Sequence, residues 1–231
     1  MNSESQLVWG FGQNVPLSGF VVLAYRRLKA LPCTISLKLR TIMHERIYLT
    51  GFMGCGKSTI GAILSNVLGY TFLDLDVEVE KHIGMDIPTY FTQFGEKAFR
   101  RIESEVLFKT VALKHFVIGL GGGALLQPEN LKWALQNGLV VYLALSAEEL
   151  TERLRYSTHR PLLLDKNGQV VPRTILYQRI SEMLAVRKPF YEQAHIQINL
   201  AKQQVGESVD AVARALYHYR IPTNKSNPNP L

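Results

Sequence analysis

The stretch GFMGCGKST at residues 51–59 contains residue types that bind phosphate groups. Its spacing from Gly51 to Lys57-Ser58 fits a pattern in which glycines let backbone N–H groups surround phosphate oxygens. A helix beginning near Lys57 would add the positive end of its dipole. Lys57 would reach the β- and γ-phosphates of a nucleotide, and Ser58 would ligate Mg²⁺. The alternative is an ordinary glycine-rich turn, but an apolar strand before it and an amphipathic helix after it favour phosphate binding.

Two carboxylates follow the second short apolar segment, at Asp74 and Asp76. Residues two apart in an extended strand face the same way, so both carboxylates can reach one pocket. One can hold Mg²⁺ through water while the other accepts a hydrogen bond from a substrate hydroxyl. The alternative assigns them to a helix N-cap and first turn, and this is our interpretation of Glu78 and Glu80.

Three arginines are candidates for binding an anionic substrate. Arg100 lies three residues before Glu103 on a predicted helix, so Glu103 can orient its guanidinium as a carboxylate clamp. Arg160 lies in a polar loop that can close over a transferring phosphate. Arg187 precedes Pro189, which interrupts a predicted helix. For each arginine taken alone, a solvated surface position is the alternative.

Three successive glycines at residues 121–123 end the third predicted strand. Glycine lets backbone N–H groups approach a ligand closely, although a flexible turn is the alternative. The histidines show no spacing typical of a metal site or a catalytic triad, and we interpret them as structural. They are His44, His82, His115, His159, His195 and His218.

Strands and helices alternate from residue 43 onward, which predicts a parallel sheet covered on both faces. The predicted strands are Arg46–Thr50, 71–73, 116–120, 139–145 and 196–200. The predicted helices are Lys57–Leu68, 76–83, 97–113, 148–155, 172–191 and 205–217, with a polar loop at 156–170. Such sheets bind ligands beyond the carboxyl ends of their strands, where the candidate residues lie or can reach.

The chain has 231 residues, of which 47% are apolar and 19% charged, and this composition excludes wholesale disorder. Cys33 and Cys55 offer neither a disulfide framework nor a zinc spacing. The uncharged apolar runs are too short to predict a membrane span. The net charge of +7 is concentrated at the start, where residues 1–42 hold five basic residues and one acid. The remainder is only mildly basic, which suits an anionic small molecule as well as nucleic acid.

We divide the chain into an N-terminal extension at 1–42, one domain at 43–220 and a disordered tail at 221–231. The extension is either a transit peptide, a poorly packed addition or the result of a gene start placed too early, with Met43 the true first residue. The tail is rich in proline and asparagine.

From about residue 45 to 200 the chain resembles the shikimate kinase family in six ordered stretches. They are GFMGCGKST (51–59), FLDLDVEVE (72–80), GEKAFRRIE (95–103), GLGGGAL (119–125), RPLL (160–163) and RKPFYEQA (187–194). The resemblance implies a three-layer α/β/α fold of the P-loop NTPase type, with a five-stranded parallel sheet of order 2-3-1-4-5 and a mobile lid at about 155–171. It also implies transfer of the γ-phosphoryl group of ATP to the 3-hydroxyl of shikimate, a step of aromatic amino acid biosynthesis.

The resemblance also assigns roles to individual residues. Lys57, Asp76 and Arg160 would be catalytic, with Asp76 helping to deprotonate the attacking hydroxyl, and Ser58 with Asp74 would serve Mg²⁺. The substrate would contact Asp76, Arg100, Gly121, Gly122 and Arg187, and Glu103 would hold Arg100. ATP would contact Gly51, Gly54, Cys55, Gly56, Lys57, Ser58, Thr59, Arg153 and Arg160, with Arg153 packing on adenine.

Two other functions stay open at this point. One is another small-molecule kinase of the gluconate type, and the other is a non-catalytic ATP-binding module on the same fold. Gly119 stands where many members of the family have serine or alanine, and residues 164–172 are not a constant family feature. We expect a cytoplasmic monomer with no nucleic-acid or membrane partner, or a plastid protein if residues 1–42 are a transit peptide.

Overall fold

The computed structural model describes residues 44–155, 164, 169, 171–201 and 203–219. The predicted extension at 1–42, the tail at 221–231 and most of the predicted lid lie outside the described residues. Arg160 lies outside them as well. In the part of the chain that is described, none of the helices has the length and apolar character needed to cross a membrane.

Five parallel strands form one sheet in the order β2-β3-β1-β4-β5. The strands are β1 (Arg46–Thr50), β2 (Thr71–Asp74), β3 (Phe116–Gly119), β4 (Leu139–Ala144) and β5 (Ile196–Asn199). Tyr48 in the central strand aligns with Ile118 of β3 and with Val140 of β4. The strand order and the parallel orientation confirm the predicted fold class.

Helices connect the strands and cover both faces of the sheet. They are α1 (Lys57–Leu68), α2 (Leu75–Ile83), α3 (Ile87–Lys109), α4 (Pro128–Asn137), α5 (Ala147–Leu154), α6 (Arg173–Tyr191) and α7 (Val205–His218). Short 3-10 helices follow α3 at Thr110–Ala112 and precede α4 at Ala124–Leu126.

The hydrophobic core is divided by the sheet because successive strand residues face opposite sides. Leu49 and Val141 pack in one cluster with residues of α1, α5, α6 and α7. Tyr48 and Val140 pack in the other cluster with residues of α2, α3 and α4. The hydroxyl groups of Tyr48 and Thr110 are 2.9 Å apart, so this buried phenol has a hydrogen-bond partner. Two apolar layers around one sheet hold the strand ends, and with them the site, in place.

Several predicted boundaries were wrong. The prediction of a helix at 97–113 missed its first part, because α3 begins at Ile87, where the Asp86 carboxylate accepts from Thr89 N at 2.8 Å. Gly95, at φ 78°, breaks the regular geometry inside α3 and hides its continuity. The whole of α4 was missed, although it buries Leu131 and Ala134.

The C-terminal end of α6 also differs from the prediction. The helix continues through Pro189 to Tyr191 instead of being interrupted. Pro189 is exposed, and its carbonyl accepts a hydrogen bond from Gln193 Nε2 at 3.0 Å. Proline has no backbone N–H, so the carbonyl of Ala185 loses its partner in the helix, but Ala185 is exposed and its oxygen can bond to water. Arg187 and Tyr191 therefore lie one turn apart on the same face of one helix.

Candidate active site

The candidate residues meet beyond the carboxyl ends of β1, β2 and β3. The glycine-rich loop at residues 51–56 follows β1, the two aspartates end β2 and begin α2, and the glycines at 121–123 follow β3. These three strands are neighbours in the order β2-β3-β1. The ends of parallel strands lie at one edge of a sheet, so the topology brings together segments far apart in sequence.

The glycine-rich loop has a backbone that only glycine adopts easily. Gly51 has φ 142°, and a Cβ atom there would lie 2.6 Å from Leu143 O. Gly54 has φ 80°, and its Cβ would meet Leu154 Cδ2 at 2.7 Å. Cys55 is fully buried inside the loop with a free thiol, while Thr59 is exposed on the first turn of α1. This backbone and the adjoining N-terminus of α1 form the cradle expected for phosphate.

Lys57 is the first residue of α1, and its side chain folds back onto the glycine-rich loop. Its Nζ donates to Gly51 O at 2.9 Å and to Phe52 O at 3.2 Å. The ammonium group is therefore held at the mouth of the cradle by neutral carbonyl groups. A phosphate group, being anionic, would be a stronger partner than these dipoles.

Ser58 and Asp74 meet, as the sequence predicts for a shared metal site. Ser58 Oγ donates to Asp74 Oδ2 at 2.7 Å. Asp74 also caps α2, because its other oxygen accepts from Asp76 N at 3.1 Å. Asp74 therefore combines the capping role and a position beside the phosphate loop.

Asp76 lies in the first turn of α2, is exposed, and is near the charged groups of Asp74, Glu80, Lys57 and Arg100. Protein atoms around the carboxyl group raise its pKa, and repulsion from Asp74 raises it further. Lys57 and Arg100 act in the opposite direction. A Cβ atom on Gly121 would lie 2.6 Å from Asp76 Oδ1, so this carboxylate faces the triple glycine closely. A raised pKa makes a carboxylate a better proton acceptor.

Arg100 is held by two carboxylates of its own helix. Its Nη1 donates to Glu103 Oε2 at 2.7 Å, and Glu103 is only 1% exposed. Its Nε and Nη2 reach Glu96 Oε1 at 3.3 and 3.2 Å. Burial raises the pKa of Glu103, whereas the attraction of Arg100 opposes that rise. The pairing of Arg100 with Glu103 occurs as predicted, and Glu96 is an additional partner that the sequence analysis did not include.

Arg187 reaches the same segment from α6. Its Nη1 donates to Gly122 O at 3.2 Å, and its Cζ lies 5.3 Å from the centre of the Phe52 ring. A Cβ atom on Gly123 would lie 2.6 Å from Arg100 Nη2, so the two arginines flank the triple glycine. The structure therefore brings Arg100 and Arg187, which are far apart in the chain, to one cationic surface.

Two further residues complete this part of the site. Tyr191 donates a hydrogen bond from its hydroxyl to Gly122 O, which Arg187 also contacts. The sequence analysis missed Tyr191, although its position four residues after Arg187 was a usable signal. Arg153 is exposed at the end of α5, and its Nη1 donates to Cys55 O at 3.3 Å. This contact brings Arg153 to the phosphate loop, on the nucleotide side of the cleft.

A parallel sheet of this order, with a phosphate loop after its first strand and a cationic cleft beside it, defines a P-loop phosphotransferase. The family model described as "Shikimate kinase" matches residues 53–217. The chain belongs to the shikimate kinase family. Membership does not favour the gluconate-type alternative.

Individual relatives agree with this family. A shikimate kinase of Chlorobium chlorochromatii is 40% identical over 173 residues, which cover 75% of this chain and 91% of that protein. The structure of a shikimate kinase of Acinetobacter baumannii in complex with shikimate is 33% identical, with a TM-score of 0.67, and covers 77% of this chain and 95% of that one. A shikimate kinase of Bacteroides thetaiotaomicron is 32% identical, with a TM-score of 0.69 and coverages of 75% and 99%.

Proposed function

We propose that this chain transfers the γ-phosphoryl group of ATP to the 3-hydroxyl of shikimate, producing shikimate 3-phosphate and ADP. Membership of the shikimate kinase family and the shikimate complex of the Acinetobacter baumannii relative support this substrate. The observation that carries the proposal is the meeting of Arg100 and Arg187 on the triple glycine, within reach of Asp76 and the phosphate loop.

The acceptor side suits a cyclic acid with several hydroxyl groups. Arg100 and Arg187 would bind the carboxylate of shikimate, because a planar guanidinium offers paired donors to a carboxylate. Glu103, buried against Arg100, would keep that guanidinium oriented. The backbone of Gly121 and Gly122 would contact the ring substituents. These contacts fix the acceptor close to the phosphate loop, and positioning of this kind supplies much of the catalysis in phosphoryl transfer.

The nucleotide side suits a triphosphate. The backbone from Gly51 to Thr59 would surround the phosphates, and Lys57 would move from the loop carbonyls to the β- and γ-phosphate oxygens. Arg153, beside the loop, would contact the adenine base. We also retain Arg160 as a group that neutralises the transferring phosphate, a role proposed from the sequence and the family resemblance.

The residues present fit a Mg²⁺ ion at the phosphate loop. Ser58 Oγ and Asp74 Oδ2 are hard oxygen ligands only 2.7 Å apart, and Mg²⁺ in kinases commonly takes one or two such ligands together with phosphates and waters. When bound, the ion would neutralise phosphate charge. We therefore assign its protein ligands to Ser58 and Asp74.

Asp76 would accept the proton of the attacking hydroxyl. A bond forms between the 3-oxygen of shikimate and the γ-phosphorus, and the bond from that phosphorus to the bridging oxygen of ADP breaks. The proton of the hydroxyl passes to the Asp76 carboxylate and then to solvent. Surrounding protein atoms and Asp74 raise the pKa of Asp76, which increases its affinity for this proton.

The first experiment is a coupled ADP-release assay with Mg²⁺-ATP and four conditions: shikimate, quinate, gluconate and no acceptor. Release that depends on shikimate, with NMR showing the phosphate on the 3-oxygen, is the expected result. Release with gluconate instead would overturn the assignment of shikimate as the acceptor. A folded, ATP-binding chain with no release would overturn the enzyme assignment.

The cellular location and the oligomeric state of the chain stay predictions. We expect a cytoplasmic monomer that binds neither nucleic acid nor membrane, with plastid import only if residues 1–42 act as a transit peptide. Light scattering after size-exclusion chromatography tests the monomer, because the chain of 26.1 kDa is readily distinguished from a dimer.

A further inference from the structure

The carbonyl oxygen of Gly122 accepts hydrogen bonds from two side chains of helix α6. Arg187 Nη1 donates to it at 3.2 Å, and the hydroxyl of Tyr191 donates to it from one turn further along the helix. A carbonyl oxygen has two lone pairs, so both bonds can exist together. Gly122 is thus attached to α6 at two points, although only Arg187 has a role in the proposed reaction.

Tyr191 is the more rigid of the two donors. It is only 1% exposed, and its ring packs against Tyr142 with the ring centroids 5.1 Å apart. Burial raises the pKa of Tyr191 to about 12, so its hydroxyl keeps its proton at any physiological pH. A tyrosine ring has few rotatable bonds, in contrast to the long side chain of Arg187. The position of Gly122 relative to α6 is therefore set mainly by Tyr191.

Little space surrounds Gly122. A Cβ atom there would lie 3.3 Å from Arg187 Nη1, 3.5 Å from Met53 N and 3.7 Å from Gly51 O. Gly122 thus lies between α6 and the phosphate loop. A small displacement of this segment would move the Gly122 carbonyl relative to Arg187, and would so change the surface that the acceptor carboxylate meets.

We propose that Tyr191 is a positioning residue of the acceptor site. Its hydroxyl holds Gly122 in place, and so sets the geometry that the shikimate carboxylate meets between Arg100 and Arg187. The inference rests on the proposed function, because it concerns the binding of the acceptor. It predicts that loss of one hydroxyl group, remote from the transferred phosphate, weakens acceptor binding and leaves nucleotide binding intact.

The test compares Tyr191→Phe with Tyr142→Phe in the full chain. Both changes remove one hydroxyl from the same pair of packed rings, which are tilted relative to each other. Among the described residues, the side chains of Tyr191 and Arg187 donate to the Gly122 carbonyl, and that of Tyr142 does not. For Tyr191→Phe we expect the KM for shikimate to rise about fivefold, the effect of one hydrogen bond of ordinary strength. The KM for ATP and kcat should stay within about twofold of the wild-type values. For Tyr142→Phe, both KM values and kcat should stay within the same range.

Calorimetric titration with shikimate alone gives an independent result, and its Kd should rise by the same factor for Tyr191→Phe. An unchanged KM and Kd would overturn the proposal. An equal effect of Tyr142→Phe would overturn it as well. A third contradicting result would be a parallel change in both KM values and in kcat that follows a loss of folded protein measured by circular dichroism. If the wild-type chain phosphorylates no shikimate, the proposed function itself has failed, and this outcome is recognisable before either variant is made.

Discussion

The nucleotide half and the acceptor half of the cleft are built in different ways. The proposed nucleotide half is mainly one run of residues, 51–59, whose backbone would make most of the contacts with phosphate. The acceptor half combines Asp76, Arg100, Gly122 and Arg187, which come from α2, α3, the segment after β3 and α6. The first half depends on local backbone geometry, and the second depends on how four segments pack. A substitution in the first half should therefore affect chemistry directly, whereas one in the second half should affect mainly acceptor binding.

The cations of the two halves also have different partners. Lys57 is bonded to two neutral carbonyl groups of its own loop. Arg100 is paired with two carboxylates, the buried Glu103 and the exposed Glu96. A phosphate that binds Lys57 thus competes with dipoles, whereas a carboxylate that binds Arg100 competes with charges.

The largest expected effect is that of Lys57→Ala. Removal of the ammonium group that neutralises the β- and γ-phosphates should lower kcat by at least about 1000-fold, with the fold and shikimate binding preserved. Steady-state ADP release, circular dichroism and calorimetry measure these quantities. Lys114→Ala is the control, since Lys114 is exposed and follows the far end of α3. Near-normal turnover of Lys57→Ala would contradict the phosphate-loop assignment.

The second largest expected effect is that of Asp76→Asn. It should lower kcat with shikimate about 100-fold, a typical loss for a general base, while the Kd for ATP changes little. Single-turnover phosphoryl transfer and nucleotide titration separate the two effects. If ATP affinity collapsed and acceptor turnover did not, the roles of Asp74 and Asp76 would have to be exchanged.

The same aspartate predicts opposite effects of pH on activity and on stability. Because the pKa of Asp76 is raised in the folded chain, its stabilising contribution is present at low pH and is lost as the pH rises through the folded value. Asp76→Asn should therefore be no less stable than the wild type at neutral pH. Activity, which needs the carboxylate, should decrease as the pH falls through that raised pKa. Thermal unfolding at several pH values and a pH–rate profile measure both effects, and a strongly destabilised Asp76→Asn would contradict the electrostatic argument.

Glu103→Gln should affect the acceptor half more moderately. The variant loses the buried carboxylate that orients Arg100, so the KM for shikimate should rise about tenfold while the KM for ATP is unchanged. Glu105→Gln is a matched control on the same helix, because Glu105 is exposed and its ion pair with Arg101 Nε is long, at 3.8 Å. Equal effects of the two variants would show that helix charge, and not the orientation of Arg100, is responsible.

Glu96→Gln should have the smallest effect, and in the opposite direction. Glu96 shares the Nε and Nη2 edge of Arg100, the edge that a substrate carboxylate would use, and its side chain is 69% exposed. Since exposed ion pairs are weak, removal of this charge should lower the KM for shikimate by about twofold. Glu105→Gln again serves as the control. A rise in KM would mean that Glu96 supports the clamp instead of competing with its ligand.

Much of the fold follows from local patterns in the chain. The strand Arg46–Thr50 and the helix Lys57–Leu68 have the predicted bounds, since apolar periodicity and glycines mark both. Helix α4 was missed because no side-chain cap marks its start, although Pro128 at its first position and the helical spacing of Leu131, Ala134 and Leu135 were usable signals. The first part of α3 was missed because Gly95 separates two helical patterns that packing joins.

By itself, the sequence determined the phosphate loop, the pairing of Arg100 with Glu103 and the alternation that produces a parallel sheet. Each depends on neighbours within a few residues, so spacing alone carries the information. Only the tertiary structure decided that Arg187 and Tyr191 share the carbonyl of Gly122, and that Asp76 faces Gly121. These contacts join segments dozens of residues apart. The pairing of β2 with β3 brings Asp76 to Gly121, and the packing of α6 against the segment after β3 brings Arg187 and Tyr191 to Gly122.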